Sequence, residues 1–332
     1  MISPLKMKPE EIRIVYMGTP EFALRPLELL MEAGYRIAGV VTAPDRPAGR
    51  GKKITYSAVK QYISTQHPDI PLFQPTNLKD PEWVQQLEGL RPDVQVVVAF
   101  RMLPEAVWKI PRLGTLNLHA SLLPQYRGAA PINHAIMNGE KETGVTTFLI
   151  DDQIDTGKIL LQDKVSIGER ESAGELQDRL MGKGAELVLR TVKGLTEGKL
   201  VARSQNQMIP LEGALKKAPK INKEDCRIVW DHDGRKVVNH IRGLSPYPGA
   251  FTTLSIKDSP PQRCKIYQAS FQEVEHHYRP GSIHTDGKKY LKAAVPDGYL
   301  QIESIQLEGK RRMDVVEFLA GYQLTSGQSR FS

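Results

Sequence analysis

The stretch that decides the fold is Ile12-Arg13-Ile14-Val15-Tyr16-Met17, followed by Gly18-Thr19-Pro20 and, beyond a helical run, by Arg36-Ile37-Ala38-Gly39-Val40-Val41-Thr42. The first apolar run reads as a buried strand. Pro20 suits the first turn of a helix from Glu21 to Glu32, and Gly34 closes it. A strand, a helix and a strand within about 30 residues make a βαβ unit, which demands a parallel sheet with a right-handed crossover. Gly18 stands where a nucleotide-binding turn would sit, but G-x-G-x-x-G is absent, so no dinucleotide site is expected.

Further strands extend this sheet. Asp93-Val94-Gln95-Val96-Val97-Val98-Ala99 is a nearly continuous β-branched run, as a central parallel strand requires. Gly114–His119, Thr143–Ile150 and Lys158–Ile167 read as strands, and Ser57–Thr65, Asp80–Leu90, Pro104–Trp108 and Ala173–Leu195 as helical segments. Ala43-Pro44-Asp45-Arg46-Pro47-Ala48-Gly49-Arg50-Gly51-Lys52-Lys53-Ile54-Thr55 is expected to be neither helix nor sheet, because Pro and Gly crowd it. A basic loop leaving a strand's C-terminal edge lies where open α/β sheets bind ligands, although its spacing is not that of a P-loop. Residues 1–200 thus read as one Rossmann-like α/β domain. Residues 201–222, with few apolar side chains and the run Lys216-Lys217-Ala218-Pro219-Lys220, read as a basic linker. In 223–332 a helix, Gly234–Gly243, precedes short β segments near 250–257, 262–272, 280–286, 289–295 and 298–307. Short strands between Gly, Pro and Asp turns predict a small barrel.

With 332 residues, 40% hydrophobic and 25% charged, the chain has the make-up of a globular protein of two domains. No run approaches the ~20 apolar residues of a membrane span, so no membrane partner is expected. Two widely separated cysteines, Cys226 and Cys264, form no CxxC motif and point to reduced thiols and a cytoplasmic protein. The net charge of +7 leans toward an anionic partner.

The chemistry centres on Asn117-Leu118-His119-Ala120-Ser121-Leu122-Leu123-Pro124. Side chains alternate along a strand, so Asn117 and His119 share one face while Leu116 and Leu118 pack the other. Alone, such a pair reads as two satisfied polar groups at a strand end. The acidic turn Asp151-Asp152-Gln153-Ile154-Asp155-Thr156-Gly157 offers carboxylates to it. A carboxylate beside an imidazole favours imidazolium, and imidazolium with an amide N–H makes a donor pair for an oxyanion growing on a carbonyl. Ser121 lies outside the G-x-S-x-G context of a nucleophilic serine, so direct transfer to an incoming amine fits better than a covalent intermediate. No metal is expected: His119 and Asp155 lack an H-E-x-x-H or Cys companion, and His276-His277 reads as a solvated doublet in a turn.

These motifs, in this order, resemble the 10-formyltetrahydrofolate-dependent formyltransferase family. The resemblance rests on Asn117–Pro124, on Arg127-Gly128-Ala129-Ala130-Pro131 and on Asp152–Gly157. Pro44–Lys53 and Met17–Phe22 narrow it to the branch that formylates methionyl initiator tRNA, and Ala218–Ile221, Ile228–Trp230 and Ile241–Ala250 in the second half agree. It implies a catalytic trio of Asn117, His119 and Asp155, which leaves Asp151 and Asp152 to the turn. It further implies a folate-lining segment Ser121, Leu122, Leu123 and Pro124, and tRNA contacts from Arg46, Arg50, Lys52 and Lys53. The implied co-substrate is 10-formyltetrahydrofolate, and the C-terminal part resembles the family's OB-like barrel, which with the basic linker would give the tRNA a second, mainly electrostatic surface. One segment departs from the family's pattern: Ala99-Phe100-Arg101-Met102-Leu103-Pro104 is one residue short, with Arg101 near a missing glycine beside the pterin pocket. Alternatives remain in a small-amine acceptor such as glycinamide ribonucleotide or an amino sugar, in hydrolysis of the formyl donor, and in a non-catalytic tRNA-binding role.

Overall fold

The computed structural model describes residues 7–48, 53–208, 214–256 and 259–332. In chain order its first half comprises β1 (Arg13–Gly18), α1 (Leu24–Glu32), β2 (Arg36–Val41), β3 (Arg46–Ala48), β4 (Lys53–Thr55), α2 (Ala58–Gln66), β5 (Leu72–Phe73), α3 (Pro81–Gly89), β6 (Val94–Val98), α4 (Glu105–Trp108), β7 (Thr115–His119), α5 (Pro131–Met137), β8 (Glu142–Leu149), β9 (Ile159–Ser166) and α6 (Ala173–Thr196). The second half adds α7 (Gly234–Gly243), β10 (Ala250–Ser255), β11 (Gln262–Glu273), β12 (Ile283–Thr285), β13 (Leu291–Val295), β14 (Gly298–Leu307), β15 (Met313–Asp314), α8 (Val315–Gly321) and β16 (Arg330–Phe331).

Two compact units emerge. The first contains Met1–Gly128, Gly144–Val165 and Gln177–Lys217; the second contains Ala129–Thr143, Ser166–Leu176 and Ala218–Ser332. Unit 1 is built on a seven-stranded sheet in the order β5-β2-β1-β6-β7-β8-β9. Neighbours from β5 to β7 are parallel, as the βαβ pattern predicts, whereas β8 runs antiparallel to β7. β1 and β6 are almost wholly buried, because helices cover both faces of such a sheet. Under one face, Val15, Met17, Val41 and Val97 pack with Trp83, Leu87 and Val107 from α3 and α4. Side chains cap two of the helices: at the start of α2 Ser57 accepts from the Lys60 amide, and at the start of α3 Asp80 accepts from the Glu82 amide.

The stretch read as too rich in Pro and Gly for sheet is corrected by β3 and β4, which pair antiparallel with Arg46 opposite Thr55. A two-stranded ribbon has outer edges on both sides, so Pro47 withholds no ladder hydrogen bond from a third strand.

In unit 2, β12-β13-β14-β11-β10-β16 form one antiparallel sheet, to whose β14 the short β15 adds. The sheet nearly closes on itself, since Phe331 N donates to Gly281 O (2.8 Å) and Ile283 N to Ser329 O (3.2 Å). Along β14 the side chains alternate between buried and half-exposed. Ile302, Ile305 and Leu300 thereby join Ile266, Leu254 and Phe318 in a barrel core. This is the nearly closed β-barrel predicted from the short strands.

Candidate active site

β7 sits beside β6, with Asn117 opposite Val97, and its last residue is His119. The Asn117 amide is half-buried and makes no hydrogen bond to a described residue. His119 is buried, with its Nε2 2.8 Å from the Tyr126 carbonyl oxygen. A carbonyl only accepts, so Nε2 carries a hydrogen and Nδ1 is the nitrogen left for chemistry. Asp155 Oδ2 lies 3.7 Å from Nδ1 and accepts a hydrogen bond from the Gly128 amide at 2.9 Å. His119 and Asp155 therefore meet within unit 1, and Asn117 stands two residues before His119 on the same strand.

The route by which Asp155 arrives there is not the one that strand order implies. Since β8 is antiparallel to β7, its end, Leu149, pairs with Leu116 near the start of β7, while His119 pairs with Thr146. The turn after β8 must itself carry Asp155 to His119. Asp151 serves this turn: its Oδ1 accepts from the Gln153 amide (3.2 Å) and the Thr156 hydroxyl (2.7 Å). Asp152 is exposed. Gly157 is required by close approach, because a Cβ there would fall 1.7 Å from the Leu149 carbonyl oxygen. Asp155 itself adopts a left-handed backbone, φ 56°.

The segment Ser121–Pro124 is largely turned inward. The buried Ser121 hydroxyl donates to Gln125 O at 2.7 Å, and Leu123 packs with Phe148 and Ile159. Thr146 Oγ1 donates to Ser121 O (2.6 Å) and accepts from Leu123 N (3.2 Å), while Gln162 Nε2 donates to Leu123 O (2.9 Å). Leu122 is half-buried and Pro124 buried.

Of the basic residues read from the 43–55 stretch, Arg46 is exposed, and Lys53 contributes backbone to β4. Arg50 and Lys52 lie outside the described residues. Neighbouring Asp45 is held by Gln74 (2.9 Å) and Lys60 (2.5 Å), and these bonds, that from Gln74 foremost, lower the pKa of its carboxyl. In the shortened segment after β6, Ala99 is left-handed (φ 47°). The Arg101 guanidinium donates to Thr76 O (3.0 Å) and to Pro75 O, tying this segment to the loop after β5. Burial lowers its pKa, and the charge of Arg46 adds to the effect.

Two features escape sequence reasoning. Gln205, in the polar stretch read as a linker, is buried in unit 1 beside the Asp155 turn, and flanking residues are anchored there too. Arg203 exchanges two 2.8 Å backbone bonds with Ile159, and Tyr126 N donates to Lys216 O. His276, read as solvated, is instead half-buried. Its Nε2 donates to Gly298 O (2.8 Å) and its ring lies 4.6 Å from that of Tyr299; His277 alone is exposed. Among the described residues no group of three or more His, Cys, Asp or Glu is arranged to hold a metal ion, and no helix is long and apolar enough to cross a membrane.

Comparison with known proteins gives the family. The signature of the formyl transferases matches residues 12–192, and that of the formyl transferase C-terminal domain matches residues 220–323. This chain belongs to the formyl transferase family. Among its relatives, the methionyl-tRNA formyltransferase of Bacteroides fragilis is 50% identical over 319 residues, covering 96% of this chain and 98% of that one. The methionyl-tRNA formyltransferase of Flavobacterium johnsoniae is 49% identical over 312 residues, covering 94% and 96%. The same transferase fold recurs in a Helicobacter canadensis N-formyltransferase solved with folinic acid and dTDP-3-aminofucose. It has a TM-score of 0.64 and 18% identity, over 91% of this chain and 100% of that one. HypX of Aquifex aeolicus, solved with tetrahydrofolic acid, gives a TM-score of 0.60 at 19% identity, over 93% of this chain and 47% of that one.

Proposed function

We propose that this formyl transferase moves the formyl group of 10-formyltetrahydrofolate to the α-amine of methionyl initiator tRNA, giving formylmethionyl-tRNA for translation initiation. The observation that carries the chemistry is the Asp155 carboxylate 3.7 Å from His119 Nδ1, with Asn117 two residues earlier on the same strand and its amide unpartnered among the described residues. The acceptor follows from relatives that share half of their residues with nearly the whole chain.

In this reading the neutral amine attacks the formyl carbon, a C–N bond forms, and the carbonyl electron pair moves onto oxygen. Asn117 N–H and protonated His119 Nδ1 donate to that oxyanion. Asp155 supports the imidazolium charge and takes the amine's surplus proton, directly or through water. When the oxyanion collapses, the bond from the formyl carbon to folate N10 breaks. N10 leaves with a proton, so the products are the formamide and tetrahydrofolate. The Nε2 bond to Tyr126 O holds the ring so that Nδ1 faces the reaction. Because Ser121 and Leu123 point inward, the 121–124 segment is assigned to the folate pocket through its backbone and Leu122. Arg46, Arg50, Lys52 and Lys53 are assigned to the acceptor end of the tRNA, and the 223–332 barrel to a second tRNA surface.

Turnover measured with charged initiator tRNA, charged elongator tRNA, an amino-sugar nucleotide and water as acceptors tests this. Preference for initiator methionyl-tRNA is expected, and faster formylation of the sugar or release of formate would refute it. Asn117→Ala should cost about 100- to 1,000-fold in turnover, the loss typical of one oxyanion donor. Arg50→Ala should impair tRNA formylation far more than folate binding.

A further inference from the structure

Gln205 belongs to no motif of the chain, yet its side chain is buried and every hydrogen-bonding position of its amide is used. Oε1 accepts from Arg127 Nε (3.1 Å) and Nη2 (2.6 Å). Nε2 donates to Asp155 O (2.9 Å) and Gly157 O (2.8 Å). The partners fix which end of the amide is which. Reversed, it would set N–H groups against a guanidinium and its carbonyl against two carbonyls.

The two backbone segments joined in this way carry the two groups that face His119. Arg127 directly follows Tyr126, whose carbonyl meets Nε2, and Asp155 bears the carboxylate 3.7 Å from Nδ1. Both facing residues are left-handed without being glycine, Tyr126 at φ 61° and Asp155 at φ 56°. Such a conformation is unfavourable for a residue that carries a side chain and persists only where the surroundings hold it. In the Asp155 turn the restraint acts on the main chain itself, at the carbonyls of Asp155 and Gly157. We infer that Gln205 is a positioning residue for formyl transfer. By donating to these two carbonyls while Arg127 holds its oxygen, it sets the distance between the Asp155 carboxylate and His119. This inference rests on the role assigned above to Asp155.

Gln205→Met keeps the length of the side chain and removes its hydrogen bonds. Gln205→Glu keeps an acceptor for Arg127 but, when ionised, donates to neither carbonyl, and it serves should the Met variant not fold. A misplacement of about 1 Å at a reacting group costs on the order of 100-fold. Turnover of either variant at pH 8 is therefore expected to fall about 10- to 100-fold, with the KM for each substrate changed less than about 3-fold. The decisive readout is a double-mutant cycle with Asp155→Asn. If Gln205 acts through the carboxylate, Gln205→Met should cost less than about 2-fold in the Asp155→Asn background. An equal cost in both backgrounds, or normal turnover with only a lowered melting temperature, overturns the inference and leaves the role of Asp155 standing. Near-normal turnover of Asp155→Asn alone overturns the role of Asp155 instead.

Discussion

Left-handed backbone is distributed differently in the two units. In unit 2 every described residue with such a φ is glycine, from Gly139 through Gly249, Gly281 and Gly287 to Gly327. In unit 1 four are not: Arg91, Ala99, Tyr126 and Asp155. Arg91 follows the end of α3, but the other three lie after β6, β7 and β8, and two of them face His119. The barrel places glycine wherever its turns need this geometry, so little strain is stored there. Unit 1 keeps side chains at four positions where glycine would be easier for the backbone. That is the expected pattern where chemistry, rather than stability, selects the residue.

The largest test of this contrast is Asp155→Asn. Asparagine tolerates the left-handed region as well as aspartate does and has the same shape, so the change removes the charge and one acceptor oxygen with little disturbance of the backbone. Turnover should drop about 100-fold or more while the thermal midpoint stays within about 2 °C. Loss of stability without loss of rate would make Asp155 another structural turn residue. In the barrel the opposite is expected. Gly281→Ala forces a Cβ to φ 84° and within 2.2 Å of the Phe331 carbonyl oxygen. Denaturant unfolding should show a loss of about 3 kcal/mol, and formylation per folded molecule should be unchanged.

A pH series probes the sealed interior of the same barrel. Burial pushes the Cys264 thiol from near 9 up to about 12. Below pH 9 both folded and unfolded chains keep this proton. Between pH 9 and about 12 only the folded chain does, so stability falls as pH rises across that window, by at most about 1.4 kcal/mol per unit. Cys264→Ala should show a correspondingly shallower alkaline loss. The smallest effect is expected of Gly287→Ala, at φ 73° with no atom within 4 Å of the added Cβ. It should cost about 1 kcal/mol, the conformational penalty alone. If it costs as much as Gly281→Ala, close approach is not what governs these turns.

The sheet of unit 1 and the main strands of the barrel are legible because burial imposes patterns. The continuous apolar run at Val94–Val98 and the alternation along Gly298–Leu307 both report what covers them. The β3–β4 ribbon is not legible, since a short local pairing rich in Pro and Gly has no burial pattern to display. Asn117 and His119 are visible through the two-residue period of β7, but the Tyr126 carbonyl that orients His119 is a backbone group and leaves no trace in side-chain types. Gln205 is hidden for another reason: its partners lie far along the chain, and a polar residue in a polar stretch reads as solvated. His276 misleads in the same way, because the Tyr299 ring that covers it arrives from another strand.

The Gln205 bridge also sets an order of events during synthesis. Arg127 precedes it by 78 residues and Asp155 by 50. At about 5–20 residues per second, roughly 3–10 seconds pass between the making of Asp155 and the making of the residue that fastens its turn. During that interval Asn117 and His119 are already synthesised, while the Asp155 turn has no Gln205 amide to hold it. A chain halted short of residue 205 would carry Asn117, His119 and Asp155 without the side chain that fastens the Asp155 turn.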